Sequence, residues 1–312
     1  MKNTVSTWIC CLCFALSISV FTYAQSDMPA VFTPGYFEKD GKPFGIISLS
    51  PLLPAPEESE EPQRLFSQLT SNDTATLESV KYIELSADSR RQLLQSAGLS
   101  ENDHLYVFDV KVRRAFVVPV ELLKAIAVLN DYVNELPVSE SDYYIGFELD
   151  DDVMPNYIAW TWLSFGKVDP FEKRGLKNIR WTACNPVDFP SVQLPADYYP
   201  FYDDKPVKPA DCFHYAHGNR NFYLRNYIVG DMVVAKHVVV TDKKSGKSIF
   251  ENVYELCENC SFAPDNEQYT GKLLKGVPEV IFGFVYPAYW CPAISVLDQS
   301  GSEIPVLCDN RN

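Results

Sequence analysis

Three apolar runs follow one another with almost nothing between them: NFYLRNYIV over 221–229, DMVVAKHVVVTD over 231–242 and KSIFENVYE over 247–255, parted by Gly230 and by Ser245-Gly246. Valine, isoleucine, tyrosine and phenylalanine dominate them, and these side chains suit the pleated, half-buried surface of a strand. The turn residues between them predict tight antiparallel connections. The same grammar recurs, with LYVFDV and AFVVPV flanking KVRR and with EVIFGFVY, AISVL and EIPVLC closing the chain. An apolar strand, a short polar turn and a second apolar strand occur three times, as in VVVTDKKSGKSIFE and ISVLDQSGSEIPVL, at irregular spacing that argues against a propeller or solenoid. The expected fold class is mainly β (α+β): an antiparallel β-sandwich-like domain with two accessory helices.

Those helices are placed at ADSRRQLLQSAGL, 87–99, and PVELLKAIAVLNDYV, 119–133. In the first, Ser89 with Gln92 can form a capping box, and Gly98 followed by Leu99 supplies a left-handed stop. In the second, Pro119 suits a first turn, and Leu122, Ile126, Leu129 and Val133 fall on one helical stripe.

The chain opens MKNTVSTWICCLCFALSISVFTYAQ, with Lys2, an apolar run from Trp8 to about Phe21, and Thr22-Tyr23-Ala24 before Gln25. This is the layout of a secretory signal peptide cut after Ala24. The run is short of the roughly 20 apolar residues that span a bilayer, and VIFGFVYPAYW further on is broken by Gly283 and Pro287. The expected organisation is a signal peptide over 1–24, an extended arm with the Pro/Glu-rich PLLPAPEESEEPQ linker over 25–64, and a β-rich domain over 65–312 that can divide near residue 170. The expected localisation is exported, with no transmembrane segment after signal removal. A net charge of −14 lacks the basic footprint that nucleic acid demands.

Outside the signal stand six of the nine cysteines: Cys184, Cys212, Cys257, Cys260, Cys291 and Cys308. An even number in an exported chain predicts three disulfides. If Asp298-Gln299-Ser300-Gly301 is a four-residue hairpin loop, Leu297 faces Ser302 and Cys291 faces Cys308, which pairs them. The other four leave Cys257–Cys260 with Cys184–Cys212, or two crossed alternatives. Redox catalysis at the Cys257/Cys260 pair is disfavoured, because Ser261-Phe262-Ala263-Pro264 follows where a reactive thiol needs a helix N-terminus. Zinc held by Cys212, His214 and His217 with that pair is disfavoured by oxidation of the thiols, so no metal and no cofactor is expected.

In GFELDDDVMPNYIAWTWLSFG, 146–166, Glu148 and Asp150 on a strand would point to one face about 6.6 Å apart, a separation used by inverting glycosidases. ELD resembles the Glu-x-Asp start of the family 16 glycoside hydrolases, β-sandwich enzymes. The resemblance implies an acid/base pair, but Val153, or Asp152 in a shorter spacing, stands where the second catalytic Glu belongs. The plainer reading is a strand end with solvated carboxylates. Trp160 and Trp162 share a strand face with Ile158, either as a sugar-stacking platform or, the preferred reading, as core. PADYYPFYDD, 195–204, gathers aromatics that could cover the core or touch a ligand. No Gly-x-Ser-x-Gly elbow, phosphate loop or His-Glu-x-x-His occurs, and His104 and His237 sit among strand residues as structural groups. The cut before Gln25, TGKLLKGVPEVIFGF, Cys291 and the terminal CDNRN are similar to a group of uncharacterised exported proteins of Bacteroidota, which implies compartment and origin.

The expected role is non-enzymatic binding or structure at the cell envelope or outside the cell, with a glycan or envelope component as partner. The alternative is a glycan-active hydrolase using Glu148 and Asp150.

Overall fold

A computed structural model describes residues 31–54, 65–66, 69, 76–149, 160–190, 207–255, 267–284 and 291–309. Its first half contains β1 (Val31–Phe32), β2 (Gly35–Lys39), β3 (Lys42–Ser48), α1 (Leu77–Val80), β4 (Tyr82–Glu84), α2 (Ala87–Ser96), β5 (His104–Asp109), β6 (Arg114–Pro119), β7 (Ala125–Leu129) and β8 (Tyr143–Leu149). There follow β9 (Thr161–Gly166), β10 (Leu176–Asn178), β11 (Thr182–Ala183), β12 (Lys208–His217), β13 (Arg220–Val229), β14 (Met232–Asp242) and β15 (Ser248–Glu255). The chain closes with β16 (Tyr269–Gly271), β17 (Val280–Phe282), β18 (Ile294–Val296), β19 (Glu303–Ile304) and β20 (Val306–Leu307).

These strands make four five-stranded sheets: a first ordered β2-β3-β8-β7-β4, a second ordered β20-β1-β9-β5-β6, a third ordered β10-β16-β17-β18-β19 and a fourth ordered β11-β12-β13-β14-β15. Side-chain alternation along each strand stacks them. Leu105 and Val107 of β5 pack with Ile145 and Phe147 of the first sheet, whereas Tyr106 and Phe108 pack with Val280 and Phe282 of the third. Ile281, between those two, points the other way and joins Phe222, Leu224, Val238 and Val240 of the fourth. The layers therefore run first, second, third, fourth, and both middle sheets are buried on two faces. A strand buried on both faces carries no polar alternation, so VIF at 280–282 is apolar throughout. The fold is mainly β, as expected, with the sandwich repeated into four layers.

The first sheet is coiled. Phe44 on β3 and Tyr82 on β4 are separated by β8 and β7, yet their rings stand 5.7 Å apart. The concave face so formed encloses Ile46, Ile126 and Val128. Gly146 on β8 permits the coiling, because a Cβ there would lie 1.9 Å from the Ile47 carbonyl oxygen, and backbone cannot step aside. Gly146→Ala is expected to cost about 2–3 kcal/mol, read as a lower urea midpoint.

Three expectations are corrected. The segment 119–133 is a 3-10 turn at Val120–Leu122 followed by strand β7. Ala125, Ala127 and Leu129 face the core toward the second sheet while Ile126 and Val128 face the concave side, so the run is apolar on both sides and its helical stripe is incidental. Leu122, assigned to that stripe, is 72 % exposed. The second helix is instead α1, one turn opened by a Thr76/Ser79 capping box. In α2 the cap is Ser86, whose side chain accepts from the Ser89 N–H. Its far end is as expected, with Gly98 at φ 67° and the Leu99 N–H bonded to Leu94 O at 2.8 Å.

The extended arm expected before residue 65 is, where described, part of the stack. Val31 and Phe32 are buried between β20 and β9, and Ile46, Ile47 and Leu49 are core residues. Phe171, at the expected division, is buried in the core between the second and third sheets.

Candidate functional site

Glu148 stands on β8 at the rim of the concave face. Its carboxylate accepts from the Tyr82 hydroxyl at 2.5 Å and pairs with Lys124 Nζ at 3.0 Å. Lys124 also lies 3.7 Å from Glu84, and Lys39 Nζ sits 3.4 Å above the Tyr82 ring. Burial, and then the bond to Glu148, push the Tyr82 hydroxyl up to about 12. The contact with Tyr82, and then that with Glu148, hold Lys124 above the usual lysine range against the effect of burial. A protonated phenol and a charged ammonium thus flank the carboxylate as donors. This arrangement ties β4 and β7 to β8. Asp150, the expected partner carboxylate, lies outside the described residues.

Trp160 and Trp162 are 3 % and 0 % exposed. Their rings stand 6.0 Å apart and pack on Phe282 of the third sheet at 5.6 and 5.4 Å. Neither presents a face on which a sugar could stack, so the platform alternative falls away and the preferred reading stands: they fill the core.

Among the described residues two disulfides are in place. Cys291–Cys308 closes with Cα atoms 5.5 Å apart. The hairpin pairs Ile294 with Ile304 and Ser295 with Glu303, and the Val296 N–H bonds Ser302 O. The register therefore slips by one residue from the expected count, within a disulfide's reach. Cys184–Cys212, 5.4 Å between Cα atoms, joins the residue that follows β11 to β12, with the Cys184 N–H bonded to Cys212 O. This excludes the two crossed alternatives; Cys257 and Cys260 lie outside the described residues. Cys212 is thereby consumed. His214 bonds Asn221 and His217 stacks on Tyr215, so the disfavoured zinc set loses Cys212 to the bridge. The aromatic PADYYPFYDD loop also lies outside the described residues.

The Cys184 bridge carries the chain onto the outer face of the fourth sheet, where Phe189 covers His237 at 5.2 Å between rings and Arg225 stacks on Phe189 at 4.2 Å. His237, fully buried, holds Glu251 at 2.9 Å. Burial first, and Arg225 in addition, depress its pKa below the ordinary 6.5, outweighing Glu251. The unfolded chain accordingly takes up the proton at higher pH than the fold does. The stability contributed by neutral His237 is full above about pH 6.5 and is lost as pH falls through the lower folded-state value. Urea midpoints at pH 7.5 and 5.0 are expected to diverge more for the wild type than for His237→Gln.

A cleft opens where hairpin tips of the fourth sheet meet the third. Alternate turns of an antiparallel meander fall at one end, so the β12–β13 turn at His217–Arg220 and the β14–β15 turn after Asp242 come together there. Glu279 before β17 and Leu297–Gln299 after β18 face them across a space of about 590 Å³, within the roughly 300–1,000 Å³ of small-molecule sites. Phe222, Ile249 and Leu297 supply an apolar floor, and His217, Asn219, Arg220, Asp242, Glu279, Asp298 and Gln299 the polar walls.

Much of this polar lining is braced from within. Asp242 Oδ1 accepts from the N–H groups of Lys244 and Ser245 and from Ser245 Oγ at 2.8–3.0 Å, and Oδ2 accepts from Asn219. The Ser245 N–H above all holds the Asp242 carboxyl below the usual range. Arg220 is ion-paired with Glu279, Asp298 Oδ1 takes the Ser300 N–H at 2.9 Å, and Gln299 donates to Ser248 O at 3.2 Å. The cleft thus has walls fixed before any ligand arrives. HGNR, DKKSGK and DQSGS read in sequence only as turns; the strand order that gathers them was the missing information.

No protein-family model matches this chain, and neither a curated protein nor a solved structure matches it.

Proposed function

We propose that the chain is an exported binding protein, acting without catalysis at the cell envelope or outside the cell, with the cleft between the third and fourth sheets as its working surface. The observation that carries this reading is the bracing of the cleft's carboxylates. Asp242, Asp298 and Glu279 each already accept from a turn N–H or an arginine, which suits a fixed recognition surface more than a pair of groups exchanging protons. Export is supported by the two disulfides, which persist in oxidising compartments, and by the signal-like first 24 residues. Among the described residues no helix is long and apolar enough to cross a membrane.

The competing hydrolase reading loses support from Glu148, whose carboxylate is occupied by Lys124 and Tyr82. On a panel of envelope and extracellular polysaccharides, the expected result is retention without new reducing ends, with Glu148→Gln retained as well as the wild type. Release of reducing ends by the wild type, abolished in Glu148→Gln, would overturn the proposal.

A further inference from the structure

The cleft walls are polar and carry more negative than positive charge. Asn219 and Gln299 each spend one amide N–H, on Asp242 and on the Ser248 carbonyl, which leaves a second N–H and the carbonyl oxygen of each for a ligand. Asp298 spends Oδ1 on Ser300, which leaves Oδ2. The one fixed cation of the lining, Arg220, is matched by Glu279. The lining therefore carries three carboxylates, of Asp242, Glu279 and Asp298, against one guanidinium, with amide groups beside them and an apolar floor of Phe222, Ile249 and Leu297. An anion would meet three carboxylates and a guanidinium already paired with one of them. A ligand bearing many O–H or N–H donors along one side and C–H groups on the other fits both walls and floor.

We infer, resting on the binding reading above, that the cleft takes a saccharide segment of neutral or amino sugars and discriminates against uronates and other anionic saccharides. The apolar floor meets the C–H face of a sugar ring, and the hydroxyls reach the oxygens of Asn219, Asp298 and Gln299. Charge acts in the same sense, because a chain of net charge −14 repels polyanions over a Debye length.

The test is titration calorimetry of the mature chain with neutral gluco- and galacto-oligosaccharides, chitosan oligosaccharides and oligogalacturonates. It is run on the wild type, Asp298→Asn, Gln299→Ala and Glu148→Gln, with thermal midpoints to establish folding. Asp298→Asn keeps an oxygen for Ser300 while turning the outward acceptor into a donor. The expected result is binding of a neutral or amino oligosaccharide at least about tenfold tighter than of any uronate, weakened about tenfold in each cleft variant and unchanged in Glu148→Gln. Uronates bound as tightly as neutral sugars, binding indifferent to the cleft variants, or no saccharide bound would each overturn the inference. The first two of these outcomes leave a non-catalytic binding protein standing. Sugar cleavage would overturn that underlying reading instead.

Discussion

Trp162→Ala is expected to lower the unfolding free energy by about 4 kcal/mol, the middle of the range for loss of a large aromatic side chain from a core. The residue sits on β9, between β1 and β5 of the second sheet, with no exposed surface and its ring edge-on to Phe282 at 5.4 Å. Truncation opens a cavity between the second and third sheets, where Trp160 and Phe282 are held by strands on either side and cannot close inward. Urea denaturation should show a lower midpoint at unchanged slope. Val117→Ala, on half-exposed β6, should stay within about 0.5 kcal/mol. Were Trp162 a ligand platform, alanine would lower affinity and leave the midpoint where it was.

Removing the Cys184–Cys212 bridge by a double substitution to alanine is expected to cost about 3–4 kcal/mol, the chain-entropy figure for a loop of this size. The two cysteines are 28 residues apart, against 17 for Cys291–Cys308, whose loss should cost about 3 kcal/mol. The first bridge also anchors the segment that brings Phe189 over His237, so its loss should be the larger of the two in thermal unfolding. A bridge between Cys257 and Cys260 would be the weakest staple, at about 2 kcal/mol for its short loop. Peptide mapping without reduction should recover Cys257 and Cys260 in one linked peptide. A peptide joining either to Cys184 or Cys212 would contradict the pairing.

How much of this was legible varied with the kind of information each feature needed. The meander of the fourth sheet was, because its strands are long, consecutive and parted by Gly230 and Gly246, both in the left-handed region. The Cys291 hairpin was legible to within one residue of register, since a turn of four residues and one of five look alike in DQSGS. Residues 119–133 were not. Their run of apolar side chains satisfies two opposite cores, and that doubling erases the period on which a strand is recognised. The arm failed for a related reason: VF at 31–32 is too short to announce a strand, and its burial depends on β20 at the other end of the chain. The candidate site was the least legible. Glu148 was singled out by its spacing from Asp150, but its character comes from Tyr82 on β4 and from Lys124 just before β7. The cleft is built from three turns whose meeting depends on how the third and fourth sheets stack.

The most direct measurement of the central claim is an amide hydrogen-exchange footprint of the mature chain with and without the saccharide it retains. The proposed binding role predicts protection gathered at the turns around 217–222, 242–249 and 297–299, with the saccharide recovered intact. Protection confined to the concave face around Glu148, with the saccharide recovered as shorter products, would contradict it.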